Sequence, residues 1–258
     1  MTPTTFKYEV SPRGVATLTL DRPDRLNAFN QQMLGELLAQ IATIARNEKV
    51  RVLVLRAAGK HFSSGADMER PSGGENEVRH ASFVDLFEAL DQLGKPTIAV
   101  VQGACVGGAA AVAASCDVVI AADSAFFSIP EVRIGVAPIG VTPILVRAMG
   151  LRNYRRYALS GERIPAREAQ RLGLADEVYA SDAIDARVTE LGDAFLHGAL
   201  GALATLKAHL QHAYPQTKTD LTAAKAHHAK VDSFKSPEAL EGVAAFKAKR
   251  KPSWYPPG

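Results

Sequence analysis

The sequence predicts an α/β protein, with a largely parallel sheet first and a helical tail after it. Three observations carry this expectation. Short apolar runs of strand length recur in the first half, amphipathic runs of helical spacing separate them, and beyond about residue 150 the helical spacing continues almost alone.

Val15 to Leu20 alternates branched and small residues, as a half-buried strand does. Gln31 to Arg46 then places Met33, Leu34, Leu37, Leu38, Ile41 and Ile44 on one helical face. Arg51 to Arg56 and Thr97 to Val101 are short apolar runs suited to buried strands, and between them Val84, Leu86, Phe87, Leu90 and Leu93 repeat the helical spacing before Gly94. Strand, helix, strand, helix, strand implies right-handed crossovers. A further helix should open near Gly107 and run through Ala109 to Ala114, and Val118 to Ala121 reads as the next strand. After that, a helix is expected near Val141 to Met149, and Arg152–Ser160, Ala166–Leu172, Ala183–His197, Ala202–His212, Leu221–Val231 and Pro237–Lys249 read as helices, with Glu177 to Tyr179 as the one strand among them. The polar, glycine-rich stretch Pro71 to Glu77 is the expected mobile loop.

The 258 residues are 47% hydrophobic and 22% charged, ordinary values for a globular chain, and the net charge of +3 is too mild for a general polyanion binder. The longest apolar stretch, Val106 to Ala114, is far short of the roughly 20 residues of a membrane span, and Met1 to Glu9 lacks the apolar core of a signal peptide. The expected location is therefore cytoplasmic, without membrane or nucleic-acid partners. If the segment between them is helical, the two cysteines, Cys105 and Cys116, lie roughly 15 Å apart, too far for a disulfide. The seven histidines are scattered; His209 and His212 can share a helical face, but nothing completes a metal site, and no metal is expected.

Two loops carry the chemical signal. His61-Phe62-Ser63-Ser64-Gly65-Ala66-Asp67 follows a buried strand with small residues where the backbone must approach something closely, and Gly103-Ala104-Cys105-Val106-Gly107-Gly108 is a glycine turn that opens a helix, leaving N–H groups free at Gly108. Two such donors suit a carbonyl oxygen that becomes anionic; the same glycines would also serve tight turns and close helix packing. The second loop is neither a Gly-x-Gly-x-x-Gly fingerprint nor a phosphate loop, and His61-x-Ser63-x-Gly65 departs from the Gly-x-Ser-x-Gly nucleophile elbow.

These loops, with Arg22-Pro23-Asp24-Arg25-Leu26-Asn27-Ala28, Ser115-Cys116-Asp117, Phe127-Ser128-Ile129-Pro130-Glu131-Val132-Arg133-Ile134-Gly135 and Glu241 to Arg250, resemble the enoyl-CoA hydratase/isomerase (crotonase) superfamily over nearly the whole chain. The resemblance implies a ClpP/crotonase spiral of ββα units over residues 1–195 and a C-terminal helical trimerisation region over 196–258, assembled as a homotrimer or as a hexamer of two trimers. It puts the oxyanion-hole amides on Ala66 and Gly108 and the acid/base on Glu131. Contacts to an acyl-CoA substrate fall on Arg25, Leu26, Ala28, Lys60, Ala66, Asp67, Met68 and Gly108, with Phe246 and Lys249 reaching in from a neighbouring subunit. No separate cofactor is implied, coenzyme A being part of the substrate. Asp67 and Asp117 are expected to brace their loops through backbone hydrogen bonds.

One position departs from the family pattern. Hydratases of the superfamily use two glutamates, and the first of them falls on Ala111, whose methyl group cannot move a proton. A single glutamate resembles the double-bond isomerases instead, and the apolar neighbours Ile129, Val132 and Ile134 should raise its pKa by desolvation. Outside the family context, Glu131 reads as a surface carboxylate salt-bridged near Arg133. An acyl-CoA-binding protein with little activity is the alternative that the missing glutamate motivates. An RNA-binding role rests only on Arg152, Arg155, Arg156 and the basic C-terminus.

Overall fold

A computed structural model describes residues 4–68, 81–213, 220, 222, 223, 225 and 236–254. Its main sheet has six strands in the order β1-β2-β3-β4-β6-β9, comprising Phe6–Val10, Val15–Leu20, Val52–Ala57, Thr97–Val101, Val118–Ala122 and Glu177–Tyr179. Only β1 and β2 pair antiparallel; every later pairing in this sheet is parallel. A second sheet of three short strands, β5 (Ala104–Val106), β7 (Phe126–Ser128) and β8 (Arg163–Pro165), lies in the order β5-β7-β8. The chain alternates between the sheets. Leaving β4 it makes β5 and then helix α3 (Gly108–Ala114); leaving β6 it makes β7, a 3-10 turn at Glu131–Ile134, and helix α4 (Thr142–Ser160). This repeated strand, strand, helix winding is the ββα spiral.

The sequence dictates which faces are buried. Ala16, Leu18 and Leu20 of β2 point inward in alternation, whereas β4 sits inside the sheet with all five residues buried. Helix α1 (Gln31–Arg46) starts where the Asn30 side chain accepts a hydrogen bond from Met33 N at 2.8 Å, and it buries Met33, Leu34, Leu37, Ile41 and Ile44. Leu38, expected on the same face, is only half-buried at its edge. At the other end of α1 the buried Lys95 ammonium donates to Ile44 O and Asn47 O, each at 2.6 Å, and so satisfies the terminal carbonyls. Helix α2 (Phe83–Asp91) begins with a reciprocal Ser82–Asp85 capping box. Its acidic side chains Asp85 and Glu88 pair with Lys225, at 2.8 and 2.6 Å. Ala109 to Ala113 of α3 are wholly buried, and their small size lets α3 pack between α2 and α4.

Beyond β7 the helices are α4, α5 (Ala166–Leu172), α6 (Ile184–Leu196), α7 (Leu200–Ala213) and a last described helix, Pro237–Lys247. The expected tail is thus present but not purely helical, because β8 joins Glu177–Tyr179 as a second strand after residue 150. Three residues are too few to show a period. The helices expected near Val141 to Met149 and over Arg152–Ser160 are both present as the two halves of α4, which is interrupted at Gly150, whose φ of 76° and ψ of 151° are non-helical. The expected loop Pro71–Glu77 and most of the expected helix Leu221–Val231 lie outside the described residues.

Both cysteines are free and buried, and burial pushes their thiols up, that of Cys116 to about 12. No helix among the described residues is long and apolar enough to cross a membrane.

Candidate active site

The first loop leaves β3 and runs alongside β5. Phe62 N donates to Gln102 O (2.8 Å), Ser63 N to Ala104 O (3.0 Å) and Val106 N to Ser63 O (3.1 Å), while the fully buried Phe62 ring anchors the segment. On its other side the loop is joined to Phe29, whose N–H donates to Gly65 O (2.8 Å) and whose carbonyl accepts from Asp67 N (2.9 Å). Gly65 has φ +92°, and a side-chain carbon there would come within 2.7 Å of Val106 O. Only glycine lets the first loop lie this close to the second. These bonds use the amides on either side of Ala66; among the described residues, Ala66 N has no protein acceptor.

The second loop follows β4. Gly103 packs against the Lys60 carbonyl and His61, whose Nδ1 accepts from Ala104 N at 3.0 Å. Gly107, at φ +59°, donates to Ser128 O (2.8 Å) and turns the chain into α3, so that the Gly108 amide is the first of the helix and lacks an intrahelical acceptor. Gly108 itself is buried.

Glu131 meets this turn from the 3-10 segment that follows β7. A side-chain carbon on Gly107 would lie 2.6 Å from Glu131 Oε1, so the carboxyl group occupies the space that any other residue at 107 would fill. The residue as a whole is only half-buried, but its Oε2 is buried and has no hydrogen-bond partner. Burial raises its pKa to about 7, partly offset by its own backbone amide. Of the apolar residues beside it in sequence, Ile129 is fully buried, whereas Val132 and Ile134 remain half-exposed. Arg133 does not pair with it, since its guanidinium donates to Ser160 O at 2.9 and 3.2 Å. A solvated surface carboxylate bridged to Arg133 is therefore not what this residue is. Tyr154 lies close enough for the Glu131 charge to act on it: burial first, and that charge as well, push the phenol up to about 12, and its oxygen shares a 2.6 Å hydrogen bond with Thr142 Oγ1.

Other residues singled out in the sequence gather around these loops. Arg25, Leu26 and Ala28 lie on a turn in which Leu26 and Asn27 adopt φ of 51° and 52°. The turn is held to the first loop by Ser64 N donating to Leu26 O (3.0 Å) and by the buried Asn27 amide donating to Ala58 O (2.9 Å) and His61 O (3.0 Å). Lys60, Arg25 and Leu26 are exposed, Met68 is half-exposed, and Ala28 is buried. Asp67 braces the region through an ion pair with Arg22 at 3.2 Å as well as through its backbone. Asp117 accepts from Thr97 N (2.8 Å), Thr97 Oγ1 (2.9 Å) and Lys207 (2.5 Å) at the opposite end of α3. Phe246 and Lys249 are solvent-exposed on and just after the last described helix. That helix packs on the Glu131 turn: a side-chain carbon on Gly242 would lie 2.5 Å from Ile134 O, and one on Gly135 would lie 2.6 Å from Glu238 O. Among the described residues no three His, Cys, Asp or Glu side chains cluster as metal ligands do, and the His212 side chain lies outside them.

Two features escaped the sequence reading. Phe83 lays its ring on Gly108, where a side-chain carbon would come within 2.7 Å of Cε1 and Cζ. Tyr154 and Thr142 approach Glu131 from α4. The sequence signal for Phe83 is its place right after the serine of a Ser-x-x-Asp capping box; for the Tyr154–Thr142 pair there is none.

A family model described as enoyl-CoA hydratase/isomerase matches residues 11–256. The probable enoyl-CoA hydratase echA8 of Mycobacterium bovis is 31% identical over 253 residues, covering 93% of this chain and 94% of the relative. The 2,3-dehydroadipyl-CoA hydratase of Escherichia coli is 30% identical over 248 residues, with 93% and 94% covered. Among solved structures, an enoyl-CoA hydratase from Mycobacterium avium subsp. paratuberculosis superposes with a TM-score of 0.85 at 29% identity, covering 98% of this chain and 99% of that one. With the ββα spiral, the paired glycine loops and a match that runs nearly end to end, the chain belongs to the enoyl-CoA hydratase/isomerase family of the crotonase superfamily.

Proposed function

We propose that this chain binds an enoyl-CoA thioester and shifts its double bond by proton transfer, with Glu131 as the single acid/base and the amides of Ala66 and Gly108 holding the thioester oxygen. The observation that carries the reading is a carboxyl group with a buried oxygen, Glu131 Oε2, that has no hydrogen-bond partner, set against the Gly107–Gly108 turn with its pKa raised to about 7. A base so poised is half-ionised near neutrality and can both take a proton and return it. In the forward direction Glu131 removes a proton from C2 of a 3-enoyl thioester, and the C–H electrons form the C1–C2 double bond of the dienolate as charge moves to oxygen. Two backbone donors stabilise that oxygen, each worth roughly a hundred- to thousandfold in rate. The charge on oxygen then re-forms the carbonyl, the C1–C2 π pair becomes the C2–C3 double bond, and the C3–C4 π pair takes the proton from Glu131 at C4.

The relatives that are named hydratases support a second outcome, addition of water across a 2-enoyl thioester. Ala111 weighs against the two-carboxylate form of that reaction, since it is buried and carries no group that can orient or deprotonate water. Arg25, Leu26, Ala28, Lys60, Asp67 and Met68 are assigned to the coenzyme and the thioester, the cations opposing phosphate charge. Phe246 and Lys249 are assigned to the site of a neighbouring copy in a trimer or hexamer; their exposure in the single chain supports this.

The deciding experiment compares wild type and Glu131→Gln on 2-enoyl- and 3-enoyl-CoA substrates of several chain lengths. The expected result is isomerisation by wild type and a loss of about a hundred- to ten-thousandfold in the variant, with acyl-CoA binding retained. Binding without turnover of either thioester by wild type would make this an acyl-CoA-binding protein instead.

A further inference from the structure

Phe83 is the first residue of α2, fixed there by the Ser82–Asp85 capping box. Its ring rests on Gly108 and tilts against Phe29, at 5.1 Å between centroids and 53° between planes, and against Phe87, at 5.9 Å and 32°. Phe29 is the residue hydrogen-bonded on both sides of Ala66. A single aromatic ring is therefore seated directly against the second loop of the candidate oxyanion hole and, through Phe29, one residue removed from the first. Phe87 is fully buried behind it, whereas Phe83 keeps part of its surface exposed. Ala111 lies one helical turn beyond Gly108 on the same face of α3, also buried.

We infer that Phe83, backed by Ala111, is a specificity-determining wall that keeps water from the bound thioester, so that the proton held by Glu131 returns to carbon and water is not added. The inference rests on the reading given under Proposed function and goes beyond it by assigning the choice of reaction to a residue outside the proton relay. An ordered water needs two to four polar partners, and a phenyl edge and a methyl group supply none. Excluding water also strengthens the hold of the two amides on the anionic oxygen. Replacing Ala111 by glutamate is then not enough to make a hydratase, because the ring over Gly108 still offers water no polar partner.

A double-mutant cycle tests this, with rates of 2-enoyl-CoA hydration and 3-enoyl-CoA isomerisation measured for wild type, Ala111→Glu, Phe83→Ala and the double variant. Ala111→Glu alone should gain little hydration, and the double variant should gain about a hundredfold over wild type. Phe83→Leu, which stays apolar, should lose rate on both thioesters together. Phe83→Gln, which offers water a partner at similar size, should raise the ratio of hydration to isomerisation about tenfold, and this pair decides the matter if Phe83→Ala does not fold. A full gain from Ala111→Glu alone, or an unchanged ratio in Phe83→Gln, overturns the inference while leaving the proposed function intact so long as Glu131→Gln abolishes turnover. Absence of turnover of both thioesters by wild type, or undiminished isomerisation by Glu131→Gln, overturns the two together.

Discussion

Glu131 owes its raised pKa to burial, and burial gives two predictions of opposite kind. As a base it must be ionised, so kcat/KM for proton abstraction should rise with pH through about 7 and fall away on the acid side. A pH–rate profile still flat down to the ordinary glutamate value of 4.5 would remove Glu131 from the role. For stability the sign is reversed. The folded state holds this proton more tightly than the unfolded chain does, so folding weakens as pH climbs from 4.5 to about 7, by at most about 3 kcal/mol, and the full cost persists above that. Glu131→Gln should therefore raise Tm more at pH 8 than at pH 5, as calorimetry would read directly. Gly107→Ala should be nearly inactive, since its methyl group would meet the Glu131 carboxylate and its φ of +59° strains any other residue. Ala66, Gly108 and Glu131 were legible because they sit in motifs with fixed neighbours. Phe83 was not, because a phenylalanine at the start of an amphipathic run reads as core, and only coordinates reveal that its ring faces a glycine on another helix.

The five-residue β1, Phe6–Val10, buries only Phe6 and went unread, but elements were legible where a period could develop: β2, β4, α1, α2, α5 and β9 with its flanking helices fall where the apolar spacing put them, β9 being the short exception. The strands β5, β7 and β8 went unread for the opposite reason, since three residues in or beside a glycine turn show neither alternation nor a continuous run. They are what brings Glu131 to Gly107, through the parallel pairing of Ala104–Val106 with Phe126–Ser128. The 3-10 turn carrying Glu131 is in turn backed by the last described helix. Gly242→Ala should push that helix off Ile134, costing about 1–3 kcal/mol, raising hydrogen exchange at 131–135 and lowering kcat with little change in KM. Exchange that stays at wild-type levels would show the helix to be a passenger.

The architecture of the molecule followed from the order of its motifs more than from any one of them, and the switch to helices beyond residue 150 located the tail to within a strand. How copies assemble is written in surface residues that look alike in sequence whether they face water or a partner. Leu206 and Leu210, one turn apart on α7, are 52% and 48% exposed in the single chain, a pair of apolar side chains better suited to contact than to solvent. If the proposed trimer buries α7, Leu206→Asp should shift the mass measured by light scattering toward a smaller species. An unchanged mass would place the contact elsewhere.

Lys225 clasps Asp85 and Glu88 from a part of the chain far along from the chemistry, yet Asp85 is one half of the cap that orients Phe83. A disturbance at Lys225 is thus passed to the Phe83 ring through a single helical turn. Because the ammonium is partly open to solvent, dissolved ions compete for it, and the choice between products should drift with ionic strength even where overall throughput holds steady.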